Sequence, residues 1–144
     1  MHYLHSKGIF HRDLQPKHIL YDLYGVGKYP LLQIKGFRFS RIESLNVHRE
    51  MRTFIDYQSP EIIFSNSDSL KSDIWALGVI LYRLVSLRRS FPFPEFQPFA
   101  PHVAMDRAFS EYIPNPLPSK FSSFFKILIG MLLEKEPEDR PSAE

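Results

Sequence analysis

The chain has 144 residues, 44% of them hydrophobic and 24% charged, and a formal net charge of +2, the balance of one globular domain or part of one. So small a charge, with no block of Lys or Arg, offers no footing for nucleic acid. With no Cys in the sequence, disulfides, thiolate zinc sites and a Cys nucleophile are excluded, and no apolar run reaches the ~18 residues needed to cross a bilayer.

The first ten residues lack the long apolar core of a signal peptide, so a soluble intracellular chain, cytoplasmic or nuclear, is expected. Met1 to Ser6 reads as the last turn of a helix, closed by Gly8. His11-Arg12-Asp13-Leu14 follows. Three such polar side chains in succession are costly to hold together unless each has a partner. Ile19-Leu20-Tyr21 and Leu31 to Lys35 read as strands of a hairpin turning between Asp22 and Tyr29, where Gly25 and Gly27 stand. Gly36-Phe37-Arg38 comes next, and Arg38 to Arg52 is polar, without period, and reads as loop. Thr53 to Glu61 ends in Ser59-Pro60-Glu61, with Pro60 suited to the first position of a short helix through Phe64. Asn66 to Ser69 is a loop.

The clearest helix runs from Ile74 to Val85, with Ser72 and Asp73 as cap residues. It is apolar almost all round, with Leu77, Val79, Leu81 and Leu84 as core positions, so burial at the centre of a domain is expected. Pro92, Pro94, Pro98 and Pro101 forbid a continuous helix after it. Within this Pro- and Phe-rich segment one short helix is expected from about His102 to Tyr112, and the rest either covers the core or presents a docking surface. From Ser119 to Glu134 a helical pattern returns in Phe121, Phe124, Phe125, Leu128, Ile129, Leu132 and Leu133. Glu136-Pro137-Glu138-Asp139-Arg140-Pro141-Ser142 closes the chain's readable motifs.

In this order the stretches resemble the eukaryotic protein kinases, in the form of their serine/threonine branch. His11 to Leu14 is similar to the start of the catalytic loop H-R-D-L-x-x-x-N. Thr53 to Glu61 is similar to T-x-x-Y-x-A-P-E with Ser for Ala, while Asp73, Trp75 and Gly78 match D-x-W-x-x-G. The run from Glu136 to Ser142 resembles D-P-x-x-R-P-S. The resemblance spans the chain and implies a mainly α fold, the large C-terminal lobe of a kinase with a small β-hairpin. The small lobe, with its Gly-rich loop, strand Lys and partner Glu, is expected to be absent. By resemblance Asp13 stands at the base position between His11, Arg12 and the degenerate Gln15, where the family has Lys. Phe37, Thr53, Trp75 and Gly78 are expected to be structural, and Asp73 to hold the backbone of the His11–Asp13 stretch. Arg140 is expected to pair with Glu61, and losing one partner of such a buried pair costs about 3–5 kcal/mol.

The departures from the family pattern bear on chemistry. The family's cofactors are ATP and Mg2+, yet the two metal-ligand positions carry His18 for Asn and Gly36 for Asp. Magnesium takes oxygen ligands, so neither metal nor nucleotide is expected for this chain, and a pseudokinase-type binding or scaffolding module is. The alternative is a fragment of a serine/threonine kinase that transfers the ATP γ-phosphate to protein Ser or Thr. Because the helix expected to flank the central one survives only as Met1 to Ser6, a protein partner or self-association is expected. His5, His11 and His18 lack supporting carboxylates for zinc and are read as satisfied or solvated imidazoles. By resemblance Arg12 binds a phosphate of the segment after Arg38, where Ser40 and Ser44 are open to phosphorylation; the alternative is that it pairs directly with Glu43 or Glu50.

Overall fold

A computed structural model of the chain describes residues 1–23, 30–45, 55–86, 92 and 116–143. Thr53, Arg49, Glu50 and the helix expected from His102 to Tyr112 lie outside them. The described residues form helices α1 (His2–Ser6), α2 (Pro60–Ser65), α3 (Leu70–Val85) and α4 (Ser123–Leu132), and strands β1 (Ile9–Phe10), β2 (Ile19–Asp22), β3 (Leu31–Ile34) and β4 (Arg41–Ile42). None of these helices is long and apolar enough to cross a membrane.

The helix α3 starts earlier than its apolar run suggests. Ser69, not Ser72 or Asp73, is the N-cap: its side chain accepts from Lys71 N at 3.2 Å, while its own N–H donates to Ser72 Oγ at 3.1 Å. This reciprocal capping satisfies amides that the first turn cannot. It also places Asp73 inside the helix, with its carboxylate available to another part of the chain.

Two apolar clusters explain why α3 needs no single hydrophobic stripe. Trp75, Val79, Tyr82 and Val85 pack with Ile129 and Leu133 of the α4 region. Ala76 and Ile80, one residue round, pack with Leu14, joined by half-buried Met1, Ile19 and Ile34. The first cluster depends on Gly78, where a Cβ would come within 2.9 Å of Leu132 Cβ and Leu133 Cδ2. Only a residue without a side chain lets α3 and α4 approach this closely. Leu84 departs from its expected core role and is 70% exposed. It shares a stripe with Leu77, two turns earlier, but has run past the elements that cover that residue.

The expected hairpin is present as an antiparallel β2–β3 pair in which Ile19 faces Ile34 and Tyr21 faces Leu32. Alternation puts these two pairs on one face, so the core covers the first and leaves the second exposed. A second pair, β1 with β4, sets Phe10 opposite Arg41 and brings the segment after Gly36 back to the residues just before His11. Helix α4 is shorter than the pattern suggested. Its cap Ser122 accepts from Phe125 N at 3.3 Å, and Phe124, Ile127 and Met131 form an exposed stripe opposite buried Ile129 and Leu132.

Candidate active site

The site is assembled by Asp73. Its Oδ2 accepts from His11 N at 2.8 Å and its Oδ1 from Arg12 N at 2.9 Å, so one buried carboxylate holds two consecutive amides. His5 Nε2 lies 3.2 Å from Oδ2. Arg12 has φ 66°, a left-handed conformation that costs a residue with a side chain about 1–3 kcal/mol and persists only where its surroundings impose it. The two hydrogen bonds to Asp73 do so. His11 is fully buried, with Nε2 2.9 Å from Lys35 O and Nδ1 3.3 Å from Asp13 N. A carbonyl only accepts and an amide only donates, which assigns the ring proton to Nε2. Phe37 meets the same ring edge-on, with centroids 5.0 Å apart.

Asp13 is buried, and its carboxylate is engaged by neighbouring side chains. Gln15 Nε2 donates to Oδ1 at 2.5 Å. His18 donates through Nδ1 to Asp13 O at 2.7 Å and lies 3.5 Å from Oδ2. The His18 ring also covers Gly36. A Cβ on Gly36 would come within 2.7 Å of its Cδ2 and Cγ and 2.8 Å of its Nδ1, on a backbone with φ of 91°. The two degenerate positions are thus one packing unit, in which a larger residue fills the space a missing side chain leaves.

Arg12 lies beside a carboxylate that the sequence did not suggest. Its Nε is 3.1 Å from Asp68 Oδ2, and its Nη1 donates to Phe39 O at 3.3 Å. Arg41 Nη1 reaches Asp68 Oδ1 at 3.3 Å. The acid beside Arg12 is Asp68 and not Glu43; Glu50 lies outside the described residues. Away from this loop, Arg140 and Glu61 make the pairing expected of them. Arg140 Nη1 donates to Oε1 at 2.7 Å and Nη2 to Oε2 at 2.8 Å, and Ser72 Oγ adds a bond to Oε1 at 2.8 Å. Arg140 is 1% exposed and spends its other donors on the carbonyls of Lys71, Glu134 and Lys135, with its guanidinium 4.9 Å from the Trp75 ring centre. Burial alone would push the Glu61 carboxyl up, but the hydrogen bonds and charge of Arg140 hold it below its ordinary value.

A family model of the protein kinase domain matches residues 1–144. The chain belongs to the protein kinase family. It is 34% identical over 149 aligned residues to 3-phosphoinositide-dependent protein kinase B of Dictyostelium discoideum. It is 33% identical over 144 residues to serine/threonine-protein kinase nekl-2 of Caenorhabditis elegans, and 31% over 140 to serine/threonine-protein kinase TIO of Arabidopsis thaliana. These alignments cover 99%, 98% and 96% of the chain but 15%, 37% and 10% of those kinases, so it spans well under half their length.

Set against the kinase pattern, the residues present do not fit magnesium. A hard dication needs oxygen donors in near-octahedral array. Here one expected position offers an imidazole whose Nδ1 is already bonded to Asp13 O, and the other offers no side chain. Among the described residues no group of three or more His, Cys, Asp or Glu is placed to hold a metal. The imidazoles of His5, His11 and His18 each have their own partner, in Asp73, Lys35 O and Asp13 O.

Proposed function

We propose that this kinase-family chain does not transfer phosphate and serves as a pseudokinase-type binding or scaffolding module. One observation carries the reading: the His18 ring fills the space over Gly36, so both expected metal positions are closed by packing as well as by chemistry. Phosphoryl transfer depends chiefly on positioning and on neutralising charge, and a site without metal ligands lacks the main means of doing so. Gln15 adds to this, since a neutral amide bonded to Asp13 stands where the family has a cation. The binding half of the reading draws on exposed apolar surface, the Phe124–Ile127–Met131 stripe of α4 and the Tyr21–Leu32 pair of the hairpin, since such patches mark association surfaces.

A second reading, a serine/threonine kinase acting on protein hydroxyls with ATP, is favoured by Asp13, which by resemblance stands at the base position, and by the names of the relatives. A radiolabelled phosphate-transfer assay with magnesium or manganese separates the two. No incorporation into the chain or into a basic acceptor protein is expected. Incorporation that disappears in Asp13→Asn would establish the second reading.

A further inference from the structure

Helix α4 carries its charges the wrong way round for a helix standing alone. Its first turn holds Lys126 and no acid, its last turn holds no base, and Glu134 follows directly on the C-cap Leu133. A helix's own dipole favours the reverse, acid near the N-terminus and base near the C-terminus. Between the two charges stands Gly130, which is exposed, and a Cβ there would meet nothing within 4 Å among the described residues. Glycine is the poorest residue for a helix interior after proline. Gly78 is explained by Leu132 and Leu133 pressing on it, and Gly130 has no such neighbour among the described residues. Lys126, Gly130 and Glu134 follow one another at intervals of four and line one open cavity, so they share a side of α4. Beside them runs the exposed stripe of Phe124, Ile127 and Met131.

We propose that α4 is the pairing face of a homodimer, in which the helices of two copies cross antiparallel at Gly130. This rests on the binding reading above and names its partner, a second copy of this chain; it does not depend on whether Asp13 supports phosphate transfer. Lys126 and Glu134 are equally spaced about Gly130. An antiparallel crossing there sets Lys126 of each copy level with Glu134 of the other, twice by symmetry. Within one chain the two are separated by about 12 Å of helix rise, too far to pair. Each copy thus brings an acid to the N-terminal end of the other's α4 and a base to its C-terminal end, which corrects the charge order at both. The missing side chain at Gly130 lets the two backbones approach, so that Ile127 and Met131 of both copies are removed from water. The charges fix the orientation, because a parallel pair would set Lys126 against Lys126 and Glu134 against Glu134.

Sedimentation equilibrium of the full chain over a concentration series tests this, with urea unfolding followed by Trp75 as the folding control. The wild type should be a dimer. Lys126→Glu or Glu134→Lys alone sets like charges opposite each other twice and should raise the dimer Kd about tenfold or more. Both changes suit the dipole of an isolated α4 better than the residues they replace, so the unfolding midpoints of dilute protein should not fall. Lys126→Glu combined with Glu134→Lys should dimerise as the wild type does. Mixed with isotope-labelled wild type, the double variant should form no mixed dimers in native mass spectrometry, whereas a parallel pair would favour them. Gly130→Gln has room on the helix and should stay folded but monomeric. A monomeric wild type, a double variant that fails to recover the dimer, or mixed dimers would each overturn the proposal. Self-association that ignores both single swaps would overturn the α4 pairing and leave the binding reading standing on another surface. Should either single swap unfold, Gly130→Gln decides: a folded monomer supports the pairing, and a folded dimer refutes it.

Discussion

Replacing Gly36 with Ala adds one methyl group, and the structure sets its cost. The new Cβ would lie 2.7 Å from Cδ2 and Cγ of His18, on a backbone with φ of 91°. A side chain in the left-handed region costs about 1–2 kcal/mol, and forcing an atom into filled space costs about 1–3 kcal/mol. The sum, roughly 2–5 kcal/mol, is a large share of the ~5–15 kcal/mol that holds a domain folded. The two parts separate in a double-mutant cycle. His18→Ala alone loses the hydrogen bond to Asp13 O, about 0.5–1.5 kcal/mol. It also removes the ring, so Gly36→Ala in that background pays only the backbone part. The double variant should therefore be more stable than the two single losses add up to, by roughly 1–3 kcal/mol of coupling. Urea unfolding followed by fluorescence of Trp75, the chain's single Trp and fully buried, measures all four proteins. Additivity within about 0.5 kcal/mol would refute the view that the two degenerate positions are one packing unit.

Arg140→Met should destabilise the chain by about 3–5 kcal/mol in the same assay, because it leaves the Glu61 carboxylate without its main partner. Since Arg140 lowers the folded pKa of Glu61, the ionised carboxylate adds stability that is complete above the unfolded value and lost as pH falls through the folded one. Urea midpoints taken from neutral to acid pH should thus fall less steeply in Glu61→Gln than in the wild type. Asp73→Ala should cost about 1–3 kcal/mol for each buried donor it strands, and should also release the amides of His11 and Arg12 to rapid exchange. Sedimentation should find the chain self-associated, and Phe124→Glu with Met131→Glu, on the exposed stripe of α4, should shift it toward monomer. A monodisperse wild-type monomer would remove that surface as an association site.

The parts of the fold that the sequence disclosed are those carried by periodicity and by residues that act locally or in fixed motifs. The run from Ile74 to Val85 announces a buried helix by its own apolar content, and Asp73 and Arg140 stand in motif positions whose contacts, with the His11–Arg12 amides and with Glu61, the structure contains. Ser69 is masked as the cap by Ser72 and Asp73, which stand nearer the apolar run, although a Ser three residues ahead of another polar residue is itself a capping signal. The exposure of Leu84 was not legible, since helical period tells which residues share a stripe but not how far along it the covering elements reach. Asp68 was not legible either. Its partners lie far away in sequence, and only the β1–β4 pairing brings Arg41 beside Arg12. His18 and Gly36 were visible as two separate losses. That they compensate each other could be suspected from size alone, a larger residue in one position beside a smaller one in the other, but only the close approach of ring and backbone makes it a contact.

Whether a divalent cation can enter between His18 and Gly36 decides more than any activity assay, because it does not depend on which acceptor is offered. Manganese serves as a paramagnetic stand-in for magnesium and broadens the resonances of nuclei near it. Titrated with ATP to millimolar concentration, into the chain and into any longer protein that carries it, it should leave the amide resonances of Asp13, His18 and Gly36 without saturable broadening. In His18→Asn with Gly36→Asp, which restores oxygen donors and removes the ring from the space, the same resonances should broaden. Saturable broadening around Asp13 and Gly36 in the wild type would contradict a site closed by its own side chains.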